Sequence, residues 1–452
     1  MNSDIIKNKD LLTATTSRAQ ALEIVEAGIR RVLPKNIMAS SVAFDIRTDV
    51  LTIQGRSFEV AGRRTFVVGG GKASGEMARL LEDIIGPKRI TAGIVTTKYG
   101  DASSGAQRIE IVPAGHPVPD EKGVEAVRRM LDLKEAFSMG QNDLVLCLLS
   151  GGGSALMPCP VDAITLEEKQ RVTGLLLSSG ADISEVNCVR KHLSKTKGGQ
   201  LGRWFAPATV VSIILSDVIG NDLSVIASGP TYLDPSTFSQ ALSVLDRYGI
   251  ADSVPRSVLQ YLESGRAGAV AETPKNLANC HNFIIGDIKL ALEAMSSKAT
   301  ELGLHPFVIT GEQSGETSEA AHVRAREIKD GKYPGFDIVM LGGETTPRLP
   351  VDHGKGGRNQ HYAAVSLLEM KGYSSPWTVA SVGTDGSDFL PEVAGAIVDE
   401  STLPRLSARG IDVSAWVDRY DSYGLFVQTA DSLISTGNTG TNVGDVVVYV
   451  LK

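Results

Sequence analysis

Residues 65–85 constrain this chain more than any other stretch. The apolar run Thr65-Phe66-Val67-Val68 passes into Gly69-Gly70-Gly71-Lys72 and then into Ala73-Ser74-Gly75-Glu76-Met77-Ala78. Apolar residues recur at Met77, Leu80, Leu81, Ile84 and Ile85, at helical spacing, until Gly86-Pro87 ends the pattern. A strand that turns through glycines into a helix aims backbone N–H groups at one point. A phosphate or carboxylate arriving there meets the positive end of the helix dipole, and Lys72 adds a point charge. A tight turn with a surface lysine explains the same residues, and the stretch alone does not choose. It is not a Walker A loop, because Phe66 and Ala73 stand where that loop needs glycine and a hydroxyl. Nor is it a dinucleotide fingerprint, since Ser74 occupies the last glycine position.

The logic recurs along the chain. Residues 143–149 form an almost wholly apolar strand, suited to burial on both faces of a parallel sheet, and run into Ser150-Gly151-Gly152-Gly153-Ser154. Two strand-to-glycine junctions are what an open α/β sheet uses to bind ligands, so the pair favours a site over a turn. Residues 336–341 lead into a third such loop, Gly342-Gly343-Glu344, and residues 378–382 into Gly383-Thr384-Asp385-Gly386-Ser387-Asp388. Asp385 and Asp388 are candidates for Mg2+, with an Asx-rich turn as the alternative. Asp217, after the strand 209–215, is a candidate general base or Mg2+ ligand, or else a turn residue. Between residues 187 and 201 lies the most basic segment, containing Arg190, Lys191, His192, Lys195 and Lys197 and ending in a glycine pair, which suits an anion as well as it suits a solvated face. Arg358 sits in a glycine-rich loop, residues 353–360, where its planar fork could hold an oxyanion.

Size and composition set the remaining bounds. At 452 residues two domains are expected, with the crossover placed in residues 232–278. No apolar run approaches membrane-spanning length. The first residues lack a basic head followed by an apolar stretch, and the four cysteines are widely spaced, so a cytoplasmic protein with reduced thiols is expected. A formal net charge of −7 argues against nucleic-acid binding and requires local cations for any anionic ligand. Residues 16–33 read as an amphipathic helix, Gln54-Gly55 as a turn between short strands, Asp120, Thr165 and Asp287 as helix caps. His116, between Gly115 and Pro117, reads as part of a fixed turn or a substrate contact. Phosphoryl transfer asks for charge neutralisation and positioning more than for covalent chemistry, and this inventory supplies those.

Several of these stretches, in order and over nearly the whole chain, resemble the glycerate 2-kinase family with its MOFRL C-terminal domain. They include Gly69-Gly70-Gly71-Lys72-Ala73, Gly115-His116-Pro117-Val118-Pro119-Asp120, Ser150-Gly151-Gly152-Gly153-Ser154-Ala155-Leu156, Gly356-Gly357-Arg358-Asn359-Gln360 and Thr439-Gly440-Thr441-Asn442-Val443. The resemblance implies a two-domain α/β enzyme. Its Rossmann-like N-terminal α/β/α domain would span residues 1–245 and its MOFRL-type α/β domain residues 246–452, with the active site in the cleft. Its reaction moves the γ-phosphoryl of ATP, with Mg2+, to a hydroxyl of glycerate, giving 2-phosphoglycerate. Carried over, Lys72 and Arg358 are the active-site cations; beside them Asp217 or Asp385 is expected to hold Mg2+ or take the hydroxyl proton, with Asp217 the further catalytic candidate and Asp217, Asp385 and Asp388 the candidate Mg2+ ligands. The nucleotide set is Gly70, Gly71, Ser150, Gly151, Gly152, Gly153, Ser154, Arg190, Lys197, Gly343, Glu344 and Asn359. Departures at Ile219, Asn221-Asp222, His361, Phe389–Glu392 and Asn438 fall mostly in cleft loops and leave the acceptor open between glycerate and a larger sugar acid. The partners implied are small molecules, with no membrane or nucleic acid, and a homodimer is admitted. An NAD(P)-dependent hydroxypyruvate or tartrate-type oxidoreductase is the alternative, against which stands the missing dinucleotide fingerprint.

Overall fold

A computed structural model describes residues 4–100, 105–311 and 313–452 and divides into two compact units, residues 37–285 and residues 1–36 with 286–452. The first unit opens with an antiparallel sheet of β1 (Val42–Asp45), β2 (Val50–Ile53) and β3 (Arg56–Glu59). Gln54 and Gly55, with φ of 46° and 82°, make the tight turn between the last two, where the sequence places one.

The main sheet of this unit is built from β4 (Thr65–Gly70), β5 (Ile90–Lys98), β6 (Ile109–Ala114), β7 (Leu144–Leu149), β8 (Thr209–Leu215) and β9 (Cys280–Gly286). Their order is β6-β5-β4-β7-β8-β9, and the pairings from β6 through β8 are parallel. Every residue of β4 and β7 is buried, which is why both read as unbroken apolar runs. From β4 the chain builds outward through β5 and β6, then returns to place β7 on β4's other side. Strand order therefore reverses at β4, and the loops after β4 and β7 emerge side by side at that switch point. The register fixes this, with Gly70 opposite Leu149.

Residues 232–278 do not act as the expected crossover. Helices Phe238–Arg247 and Arg256–Arg266 bury Phe238, Leu242, Leu245, Val258 and Leu262 in one core with Val172, Leu176 and Val189 of this same unit. Strand β9 then joins β8, so the contacts divide the chain near residue 285 and not at the expected 245/246.

The second unit carries a mixed sheet of β10 (Pro306–Val308), β11 (Ile338–Gly343), β12 (Thr378–Gly383), β13 (Gly395–Asp399), β14 (Leu433–Ile434) and β15 (Asp445–Val450), in the order β10-β11-β15-β12-β13-β14. β15 runs antiparallel to both neighbours, so its first residue lies between the carboxyl ends of β11 and β12; Asp445 pairs with Gly343 on one side and Gly383 on the other. Helix Thr16–Arg31 belongs here, its Leu22, Val25 and Ile29 buried as the periodicity predicts. It approaches helix Ile288–Glu301 so closely that a Cβ on Gly28 would stand 2.7 Å from the Met295 side chain. The caps read at Asp120, Thr165 and Asp287 are all made, Thr165 in a full capping box. No described helix is long and apolar enough to cross a membrane.

Candidate active site

The loops after β4 and β7 lock onto each other. Lys72 N donates to Gly151 O at 2.8 Å, Ala73 N to Ser150 Oγ at 2.9 Å, and Ser74 Oγ to Leu148 O at 3.1 Å. The glycines serve that contact. A Cβ on Gly69 would meet Leu148 O at 2.1 Å, one on Gly70 the Thr96 Oγ1 at 2.1 Å, and one on Gly71 the Ser150 Oγ at 2.2 Å. On Gly153 it would meet Gly70 O at 2.7 Å. Gly70, Gly71 and Gly153 were expected to open the backbone to a phosphate; the space a side chain would take is instead filled by the neighbouring strand and loop. Gly152, with φ of 79°, faces side chains: a Cβ there would lie 2.9 Å from the His116 ring and 3.2 Å from Lys72 Cγ. The two glycine loops thus act as a rigid mount that sets Lys72 beside His116.

One residue further, the same loop meets a cluster of cations. Ser154 Oγ receives Arg190 Nη2 at 2.6 Å and lies 2.7 Å from Ser228 Oγ, while Lys197 Nζ donates to Ser154 O at 2.6 Å. Asn187 Oδ1 accepts from Ser228 Oγ at 3.2 Å. Ala227 and Ser228 hold φ of 51° and 63°, left-handed values that non-glycine residues rarely adopt and that turn the Ser228 hydroxyl toward Ser154. A third cation, Lys169, is 6% exposed and its Nζ has no hydrogen-bond partner. Among the described residues no carboxylate pairs with Lys169, Arg190 or Lys197. The other basic residues of the segment are neutralised, Lys191 by Asp234, His192 against Glu272 and Lys195 by Asp162. Burial pulls the Lys169 ammonium down to about 7, with the Arg190 charge acting in the same direction. Lys197 falls well below the ordinary lysine value from burial, then from Arg190 and Lys169. Asp217 stands two residues beyond β8, which neighbours β7, and so lies at the same carboxyl edge.

The second unit repeats the strand-to-glycine turn with opposite charge. Arg358 opens helix Arg358–Glu369; its Nε donates to Asp445 Oδ2 at 2.5 Å and its Nη2 to Asp445 Oδ1 at 3.2 Å, while Nη1 bonds Glu344. The fork expected to hold an oxyanion is engaged here by two carboxylates. Burial works against its charge, yet Asp445 and Glu344 keep its pKa above the ordinary value. Burial pushes the Asp445 carboxyl up to about 6 against the pull of Arg358. Gly343, like the glycines of the first unit, is packed against backbone, its Cβ position 2.1 Å from Gln313 O.

Asp388, expected as a Mg2+ ligand, is a helix cap instead. Its buried carboxylate accepts from Asn359 N at 3.0 Å, Gln360 N at 2.8 Å and Gln360 Nε2 at 3.0 Å, which leaves no oxygen for a metal. Asn359 is likewise spent, receiving Ser381 Oγ at 2.7 Å and reaching Asp388 at 3.3 Å. Asp385 is half-buried and approaches Asp445: a Cβ on Gly383 would lie 3.5 Å from the one Oδ1 and 3.4 Å from the other. No group of three metal-ligating side chains occurs among the described residues. Mg2+ in phosphate sites needs only one or two carboxylates beside phosphate oxygens and water, so Asp385 and Asp445 fit it where a calcium-type cage would not. Asp445, Lys169 and Ser228 were not singled out by the sequence. A charged residue opening the apolar strand 445–450 was a usable signal for Asp445; nothing distinguishes Lys169 from a surface helix lysine.

Comparison with known proteins gives a consistent picture. The family model described as "Domain of unknown function (DUF4147)" matches residues 20–263, and that of the MOFRL family residues 337–445. A D-glycerate 2-kinase of Thermotoga maritima is 38% identical, covering 95% of this chain and 97% of its own. A chain of Agrobacterium vitis that carries hydroxypyruvate reductase as a provisional name is 40% identical over 85% of this chain and 86% of its own. The crystal structure of a glycerate kinase from Thermotoga maritima superimposes with a TM-score of 0.82 at 37% identity, covering 96% of this chain and 99% of that one.

Proposed function

The chain belongs to the glycerate kinase family, and from that premise we infer that it transfers the γ-phosphoryl of ATP to a hydroxyl of glycerate, giving 2-phosphoglycerate. The observation that carries the reading is the mount of Lys72. Both glycine loops at the switch point are spent on fixing the Lys72 side chain beside the His116 imidazole, which suits positioning and charge neutralisation, the two demands of phosphoryl transfer. Lys72 neutralises charge on the transferred group and Asp217 takes the proton of the acceptor hydroxyl. Asp445 fixes the plane of Arg358 through Nε and Nη2, and Glu344, the more exposed partner at 42% against 9%, gives up Nη1 to phosphoryl oxygens. Asp385 and Asp445 would hold Mg2+, whose charge offsets that of the nucleotide phosphates. The protein works as a cytoplasmic enzyme on small molecules.

The reductase reading lacks support in the same loops. A dinucleotide site needs glycines that leave room for a pyrophosphate, and here the room at Gly69 and Gly71 is taken by Leu148 and Ser150. Incubating the protein with ATP, Mg2+ and D-glycerate and identifying the product by NMR tests the assignment, with 2-phosphoglycerate expected. Oxidation of NADH by hydroxypyruvate in place of that product would overturn it.

A further inference from the structure

Arg190 and Lys197 bond Ser154, the buried Lys169 lies within electrostatic reach of both, and among the described residues no carboxylate pairs with any of the three, in a chain of net charge −7. Burial without a counter-ion disfavours the charged forms of Lys169 and Lys197, and an anion seated beside them would restore their charge. We propose that these three residues, with the Ser154 and Ser228 hydroxyls, form a pocket for the carboxylate of the hydroxy-acid acceptor. This rests on the kinase reading above and deepens it.

Three observations select a carboxylate over the phosphates of the nucleotide. Lys197 is 1% exposed and Lys169 6%, so the anion must shed its water on entry. Nucleotide phosphates arrive with Mg2+, which keeps several waters, whereas a carboxylate is compact, carries no metal and exchanges its hydration for charge-assisted hydrogen bonds. The pocket is also spaced for a short acid. The loop that touches the cations at Ser154 touches Lys72 and His116 at Gly152, two residues away and so within about 7 Å along the backbone. A three-carbon acid seated by its carboxylate therefore brings its hydroxyls toward the Lys72 end of the loop. Finally, the carboxylate is the one anionic group that acceptor and product share, and a buried site suits a group that does not change during turnover.

Calorimetric titration tests this. Wild-type protein is titrated with D-glycerate and, separately, with a non-hydrolysable ATP analogue and Mg2+; Lys169→Met is treated alike. The variant should lose at least tenfold in D-glycerate affinity, change less than twofold toward the nucleotide, and melt no lower than wild type, because an unpartnered buried ammonium has been replaced by a side chain of similar length. Unchanged glycerate affinity, or a loss confined to the nucleotide, would overturn the assignment, and so would a lowered melting temperature with glycerate affinity intact. Wild-type protein gives a test that needs no variant: D-lactate should compete with D-glycerate and glycerol should not, and the reverse pattern refutes the pocket. Protein that binds D-glycerate but forms no phosphoglycerate would fail the kinase reading alone. A Lys169→Met enzyme that turns over with an unchanged KM for glycerate would fail the pocket alone.

Discussion

The two sheets end in the same kind of turn and differ in what they do with charge. At the carboxyl edge of the first, Arg190 and Lys197 meet Ser154, with Lys169 in electrostatic reach, and none of the three has a counter-ion among the described residues. At that of the second, one arginine faces Asp445 and Glu344, with Asp385 close by, and the sum is negative. Glycines make both turns possible by letting backbone pack on backbone, at Gly71 against Ser150 and at Gly343 against Gln313. The difference teaches that the glycine motif carries no ligand preference of its own. The side chains hung on the mount decide it: the first edge is poised for a bare anion, and the second for an anion that brings a cation with it.

Four measurements break or sharpen that contrast. The largest effect belongs to the first edge. Lys72→Met should lower kcat by about 10²–10³-fold, the scale for removing one preorganised charge from a transferring group, while leaving the melting temperature within a few degrees. Near-normal turnover would remove Lys72 from the mechanism. Next is an acid sensitivity confined to the second unit. His361, buried, with Nε2 2.9 Å from Ser318 Oγ and its ring stacked on Tyr420 at 3.9 Å, is pulled by burial from 6.5 to about 4. It stays neutral in the fold, so the unfolded chain binds one more proton between these values. Its stability contribution is complete above pH 6.5 and lost as pH falls toward 4, by about 3 kcal/mol. Urea denaturation at pH 4.5 and pH 7, as assay conditions set at about these values, should show this slope in wild type and a flatter one in His361→Phe.

Smaller is Arg358→Lys, which keeps the charge and loses the fork on Asp445; turnover should fall by about thirtyfold, about 2 kcal/mol, with little change in glycerate affinity. An equal loss in glycerate affinity would place the acceptor on the second edge and collapse the contrast. The smallest is a pH effect on the first edge. Lys169, faced by Arg190, Lys197 and Cys159, loses its proton as pH rises through about 7, so the empty pocket weakens on the alkaline side. The KM for D-glycerate should climb by up to about tenfold per pH unit above that point, and the slope should vanish in Lys169→Met.

The sequence made some of this legible and hid the rest for physical reasons. β4 and β7 were readable because a strand buried on both faces must be apolar throughout, and the glycines after them mark where it stops. The helix caps were readable because Asp120, Thr165 and Asp287 act within three residues. What the glycines pack against was hidden, since Gly71 and Ser150 are far apart in the chain and meet only once β7 lies beside β4. Lys169 looked like one more polar residue of a well-capped helix; only the assembled core shows its ammonium buried. Asp388 misled because a carboxylate in a glycine loop looks the same whether it binds a metal or caps a helix whose first turn lies 29 residues earlier. Residues 389–435 offered no strong period, and they fold as the short strands β13 and β14 and brief helices.

The placement of β15 bears on how the molecule is made. β11 and β12 bond to it and not to each other, so without residues 445–450 the second sheet is two separate pieces, β10-β11 on one side and β12-β13-β14 on the other. A ribosome delivers that keystone after every other strand. The nascent chain can complete its parallel sheet early, but the second sheet must wait, half-assembled and with two raw edges, for the segment that also brings the partner of Arg358.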